Sequence, residues 1–206
     1  MQENEDNEED DIKVILLGNT GVGKTNLINI TMGQGFSETE KSTATSSFSL
    51  KKITINDKTH KVALWDTIGQ EQYKQLTKIF FNNAKIVIFV YDITRKITFD
   101  ALPDWKKDVE EQIGKDYVKG VVGNKSDLYL QEQVKEEEGE QYANNIEANF
   151  LLFSAKKDDP KKFEDYLRGL LEKYLLTKKE GNKGKFPLDK ANTFEKKNKN
   201  NKNCCN

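Results

Sequence analysis

Residues Gly18 to Thr25 read GNTGVGKT and fill every fixed position of the pattern G-x-x-x-x-G-K-[ST]. Directly before them stands Val14-Ile15-Leu16-Leu17, a short branched apolar run of the kind that forms a buried strand. The stretch after Lys24 predicts a helix. Strand, glycine loop and helix in that order make an anion cradle. Glycines let successive backbone N–H groups turn inward around a phosphate chain. The helix N-terminus adds unpaired N–H groups and the positive end of its dipole. Asn19, Thr20, Gly21, Val22 and Gly23 then line the phosphates, Lys24 reaches the β- and γ-phosphates, and the Thr25 hydroxyl binds Mg²⁺. The bland alternative is a glycine-rich turn after a strand, and the filled pattern with the right flanks argues against it.

The loop specifies a nucleoside triphosphate without naming the base. Asn124-Lys125-Ser126-Asp127 follows a second apolar run, Val118 to Val122, which Lys119 and Gly120 interrupt. A carboxylate at Asp127 accepts two hydrogen bonds from guanine N1–H and N2–H₂, a donor pair that adenine lacks, so discrimination is large once the carboxylate is desolvated. Taken alone, the tetrapeptide reads as a polar turn. A third apolar run, Phe150 to Phe153, ends in Ser154-Ala155-Lys156. Three strand ends then converge where open α/β sheets bind ligands.

With Trp65-Asp66-Thr67-Ile68-Gly69-Gln70-Glu71 and a threonine at position 43, these segments stand in the order and spacing of a known family. The chain resembles the Ras superfamily of small GTPases and, within it, the Rab family. The likeness covers about residues 12 to 176 plus the last three residues. It implies an α/β fold of the P-loop NTPase type, a three-layer sandwich with a mostly parallel six-stranded sheet and helices on both faces. The alternation of strand-like and helix-like segments independently predicts a mainly parallel sheet covered on both faces.

Composition divides the chain into three parts. Residues 1 to 11 hold seven acidic side chains and no base, and residues 177 to 206 hold nine lysines against Glu180, Asp189 and Glu195. The formal net charge of −1 thus hides an acidic head and a basic tail, both predicted to be disordered, around one domain at 12–176. No apolar run approaches transmembrane length, and no signal peptide is visible. Phe48 to Ile55 and His60 to Asp66 flank Asn56-Asp57-Lys58, which predicts the one antiparallel hairpin. Trp105, Val109 and Ile113 lie on one helix face, and Phe163, Tyr166, Leu167, Leu170, Leu171 and Tyr174 form the stripe of a last helix. These aromatics read as core. His60, the single histidine, is expected on an exposed strand, and no His/Cys cluster suits zinc.

The resemblance implies attack of water on the γ-phosphate of GTP, with GDP as product. Lys24, Mg²⁺ and the loop N–H groups would neutralise charge. Thr25 and Thr43 would hold Mg²⁺, with Asp66 reaching it through water. The Gly69 N–H would bond the γ-phosphate, and Gln70 would orient the attacking water. Asn124 would bond guanine N7, Lys125 would lie over the ribose, and the Ala155 N–H in Ser154-Ala155-Lys156 would meet O6. Phe36 stands where the family places an aromatic against the base, or is an ordinary surface aromatic. Tethering of Thr43 and Gly69 would order two switch segments that relax on hydrolysis. Phe48, Trp65 and Phe80 match an effector-reading triad, while Phe48 and Phe80 could also simply pack under the switches. The implied partners are an exchange factor, a GTPase-activating protein, effectors, a prenylation escort and a GDP-dissociation inhibitor. A monomer without nucleic-acid partners is expected.

Three departures stand out. Ala44-Thr45 replaces the usual Ile-Gly, Ile68 replaces a small alanine beside the γ-phosphate, and Gln72 replaces an arginine. Losing glycine removes backbone freedom, and a β-branched side chain at position 68 is stiff and bulky. At the C-terminus, Cys204-Cys205-Asn206 resembles the doubly geranylgeranylated Rab ending and is not a C-a-a-X box. Two lipids anchor stably where one does not. Lysines in the tail would add attraction to anionic leaflets. The resemblance implies a place on the cytoplasmic face of endomembranes, cycling with the cytosol. The alternative is a pair of free thiols on a tail whose Asn and Lys reflect codon composition.

Overall fold

The computed structural model describes residues 11–38, 47–67 and 79–183. β1 (Ile12–Leu17) runs into the glycine loop and α1 (Lys24–Thr31). Every residue of β1 except Lys13 is buried. Val14 and Leu16 face one core, and Ile15 and Leu17 face the other. A strand covered on both faces needs an unbroken apolar run, which is why periodicity of two is absent from it.

β2 (Ser47–Ile55) and β3 (Lys58–Asp66) form the antiparallel hairpin that the turn residues predict. Asn56 and Asp57 take φ values of 49° and 61°, the positive pair that a two-residue turn demands. β4 (Ile86–Asp92), β5 (Val118–Asn124) and β6 (Asn149–Phe153) follow, and the sheet order is β2-β3-β1-β4-β5-β6. All pairings other than β2–β3 are parallel. The described residues therefore form the six-stranded, mostly parallel sheet that the sequence predicts.

Helices cover both faces. α1 and the long α5 (Pro160–Lys183) close the first core through Leu27, Phe163, Leu167, Leu170 and Leu171. α2 (Lys96–Asp100), α3 (Leu102–Ile113) and α4 (Glu136–Asn145) lie on the other side, where Trp105 and Val109 enter the second core. The two stripes read from the sequence are thus the buried faces of α3 and α5. α5 continues past residue 176, where the sequence reading ends the domain, to Lys183.

His60 corrects an expectation. It is only 7% exposed. In the β2–β3 register it sits opposite Ile53, in alternation with buried Val62 and Leu64. Its polar neighbours Thr59 and Lys61 point the other way, so the polar run around it concealed which face it occupies.

Candidate functional site

The C-terminal ends of β1, β4, β5 and β6 carry the residues that the sequence singles out. Gly18 leaves β1 with φ at 148°, and a Cβ there would collide with the Val90 carbonyl oxygen on β4. Gly23 takes φ of 99°, and a Cβ there would run into the Asn124 side chain. Both glycines are therefore set by close approach as well as by backbone freedom. Lys24 opens α1, and its ammonium donates to the carbonyls of Gly18 at 2.7 Å and Asn19 at 3.1 Å. A buried cation is thereby held across the mouth of its own loop. The Thr20 hydroxyl oxygen is enclosed and has no hydrogen-bond partner among the described residues.

Asn124 joins this loop to the end of β6. Its Nδ2 donates to the Val22 carbonyl at 2.7 Å, and its Oδ1 accepts from the Ala155 N–H at 3.1 Å. One buried amide thus links the ends of β5 and β6 to the phosphate loop. That Ala155 N–H, assigned by resemblance to guanine O6, is engaged with Asn124 in this structure.

Asp127 stands ready as an acceptor. Its Oδ1 takes a hydrogen bond from the Ser154 hydroxyl at 2.6 Å. Ser154 is itself fixed, because its N–H donates to Asp158 Oδ2 at 3.0 Å and its oxygen accepts the Lys157 N–H at 3.0 Å. Lys125 adopts φ of 68°, which carries its ammonium 2.6 Å from the buried Asp92 carboxylate. Across the site, Lys156 meets Glu38 at 2.5 Å, and its ammonium lies 5.9 Å from the Phe36 ring centre. The Lys156 hydrogen bond and charge pull the Glu38 carboxyl below its ordinary pKa, and Glu38 in turn raises that of Lys156.

On the cation side, Thr25 Oγ1 donates to Asp66 Oδ2 at 2.8 Å, and Asp66 is buried. A hydroxyl and a carboxylate side by side at the loop end suit a hard divalent ion with oxygen ligands, so the residues fit Mg²⁺. Thr43, Ile68, Gly69, Gln70 and Gln72, along with Ala44 and Thr45, lie outside the described residues. So do Cys204 and Cys205, and no described helix is long and apolar enough to cross a membrane.

Phe48, Trp65 and Phe80 come together. The Phe48 and Trp65 rings stack with centres 5.1 Å apart, and Phe80 tilts against Trp65 at 5.9 Å. Phe48 is 55% exposed. Lys13 places its ammonium 4.1 Å from the Trp65 ring centre.

Sequence reading missed three contacts. Trp105 Nε1 donates to Asn19 Oδ1 at 2.9 Å, Arg95 Nη1 donates to the Thr20 carbonyl at 3.1 Å, and the Thr67 hydroxyl donates to the Leu16 carbonyl at 2.6 Å. The helical spacing of Trp105 signals only that it is buried. No local pattern marks the other two.

A glycine loop closed by a lysine at a helix N-terminus, beside an oriented carboxylate, defines a P-loop nucleotide-binding domain. The Ras family model matches residues 13–174. The chain is 35% identical to Ras-related protein Rab-12 of Homo sapiens over 148 residues, 72% of this chain and 61% of that protein. It is 35% identical over 146 residues to Rab-22A of Homo sapiens, covering 71% of this chain and 75% of that one. With RABC1 of Arabidopsis thaliana the identity is 34% over 197 residues, 94% of this chain and 92% of the relative. The match thus spans just over three fifths of Rab-12 and nearly all of RABC1. The chain belongs to the Ras family of small GTPases and is Rab-like within it.

Proposed function

We propose that this protein binds GTP and GDP with Mg²⁺, hydrolyses GTP slowly, and works as a membrane-anchored switch in intracellular vesicle traffic. The observation that carries the reading is the Asn124 bridge. It joins the glycine loop to Ala155 at the end of β6, next to the Ser154–Asp127 pair, an arrangement that supports one ligand carrying both a triphosphate and a guanine. Mg²⁺, held by Thr25 and Thr43 with Asp66 nearby, would neutralise charge on the phosphate oxygens. Lys24 moves its ammonium from the loop carbonyls to the β- and γ-phosphates. Asp127 holds the guanine edge, and Lys125 and Phe36 flank it. The Gly69 N–H binds the γ-phosphate, and Gln70 orients water for in-line attack.

Phe48, Trp65 and Phe80 form the surface that an effector reads, a partly exposed aromatic cluster of hot-spot type. Exchange and activating proteins act on the switch segments, and geranylgeranyl groups on Cys204 and Cys205, added with an escort protein, anchor the chain. A GDP-dissociation inhibitor then carries it between endomembranes and cytosol.

A second reading rests on Ile68 and Ala44-Thr45: a GTP-binding scaffold that does not hydrolyse and recruits effectors while nucleotide stays bound. Single-turnover hydrolysis of preloaded GTP separates the two. Conversion over hours in wild type, lost in Gln70→Leu, supports the switch. No conversion in wild type, with turnover appearing in Ile68→Ala, supports the scaffold.

A further inference from the structure

The phosphate loop is held from outside at three points. Asn124 donates to the Val22 carbonyl at 2.7 Å, Arg95 to the Thr20 carbonyl at 3.1 Å, and Trp105 to the Asn19 side chain at 2.9 Å. The Asn124 contact uses a residue that already belongs to the nucleotide site. Arg95 and Trp105 do not.

A trans peptide is planar, so a carbonyl and the following N–H point to opposite sides. Holding the Val22 carbonyl therefore turns the Gly23 N–H the other way. By the same rule, Arg95 on the Thr20 carbonyl turns the Gly21 N–H away from Arg95. Gly21 takes φ of 79°, and among the described residues the Arg95 guanidinium nitrogen, at 3.5 Å, is the one neighbour beyond its chain neighbours within 4 Å of where its Cβ would stand. Side-chain packing thus does little to fix this peptide, and a glycine left free samples many orientations. Arg95 supplies the missing constraint.

Its own anchorage is firm. The Arg95 N–H donates to the Asp92 carbonyl at 3.0 Å, and its carbonyl accepts from the Thr98 N–H at 2.9 Å and the Thr98 hydroxyl at 2.7 Å. An exposed guanidinium thus springs from a rigid corner between β4 and α2. Trp105, rooted in the second core, makes a buried bond to Asn19 from the same side of the sheet.

We propose that Arg95 and Trp105 are positioning residues of the phosphate site. They preorganise the loop N–H groups and so set how long nucleotide stays bound. This rests on the nucleotide-binding reading above.

The test is release of fluorescently labelled GDP from the full chain in excess unlabelled GDP and Mg²⁺. Wild type is compared with Arg95→Ala and Trp105→Phe, and thermal unfolding is followed in parallel on nucleotide-free protein. Loss of one such hydrogen bond predicts roughly 3- to 10-fold faster release in each variant, with the Arg95→Ala unfolding midpoint unchanged. Arg95 is exposed, so this variant stays interpretable even if Trp105→Phe folds poorly. Release from Arg95→Ala within twofold of wild type overturns the assignment. So does faster release matched by a lower unfolding midpoint, which marks general loosening. A wild-type protein that retains no labelled GDP overturns the nucleotide reading itself.

Discussion

Ser154 donates its hydroxyl to the Asp127 carboxylate at 2.6 Å, and two further bonds lock the serine in place. The carboxylate proposed to select the base is therefore held in one orientation by its serine. Ser154→Ala leaves Asp127 free to rotate and removes a hydrogen bond to a charged group. GDP affinity should fall by roughly 10- to 100-fold. Isothermal titration with GDP measures this, and unchanged affinity would show that Asp127 needs no such support.

Gly23→Ala combines a positive φ of 99° with a collision against the Asn124 amide. The strain alone is worth about 1–3 kcal/mol, and the Asn124 bridge must shift as well. This variant should lose both stability and nucleotide retention. Urea unfolding and labelled-GDP release report the two effects, and wild-type behaviour in both would refute the packing described for this loop.

The Glu38–Lys156 pair has a defined pH window. The Glu38 carboxyl is depressed by the Lys156 hydrogen bond and charge, so the contact is present above the unfolded carboxylate pKa and is lost as pH falls through the folded one. Lys156 is raised by Glu38, so its side of the pair is lost only as strongly alkaline pH passes the folded lysine value. Between those limits the pair is fully charged. An NMR titration should place the Glu38 midpoint below the ordinary carboxylate range, returning upward in Lys156→Ala. A midpoint that Lys156→Ala leaves in place would remove the ion pair from the account. Both groups are exposed, so salt should weaken the contact.

Tyr91 buries its hydroxyl without a hydrogen-bond partner among the described residues, and burial drives its pKa upward. A Cβ on Gly139 of α4 would strike that hydroxyl and the Phe150 ring. Gly139→Ala should therefore destabilise by about 1–3 kcal/mol. Tyr91→Phe should cost little, and in its background Gly139→Ala should cost less than alone. A double-mutant cycle by chemical denaturation measures the coupling, and strict additivity would argue that the two sites do not touch.

Much of this was legible in the chain. Asn56-Asp57 between apolar runs encodes the hairpin because both residues tolerate positive φ. The continuous apolar run of Val14 to Leu17 encodes β1, since a strand buried on two faces needs no alternation. The phosphate loop is local, so its residues and their order carry the whole message. His60 was not legible, because polar Thr59 and Lys61 alternate with it and only the register with Val62 and Leu64 decides its face. Nor were the braces on the loop. Trp105 and Asn19 stand 86 residues apart, and Arg95 and Thr20 stand 75 apart. Such pairs exist only once β1 and β4 lie side by side.

The Asn124 bridge makes the site a chelator. A ligand with only one of the two recognised parts, pyrophosphate or guanosine, must organise the shared amide by itself and spend translational entropy for half the contacts. The intact nucleotide meets that cost once, and its second half binds at the high effective concentration set by its own covalent link. Affinity for the whole should therefore far exceed what the two halves suggest. If the site holds guanine nucleotide as proposed, small fragments would compete weakly with it.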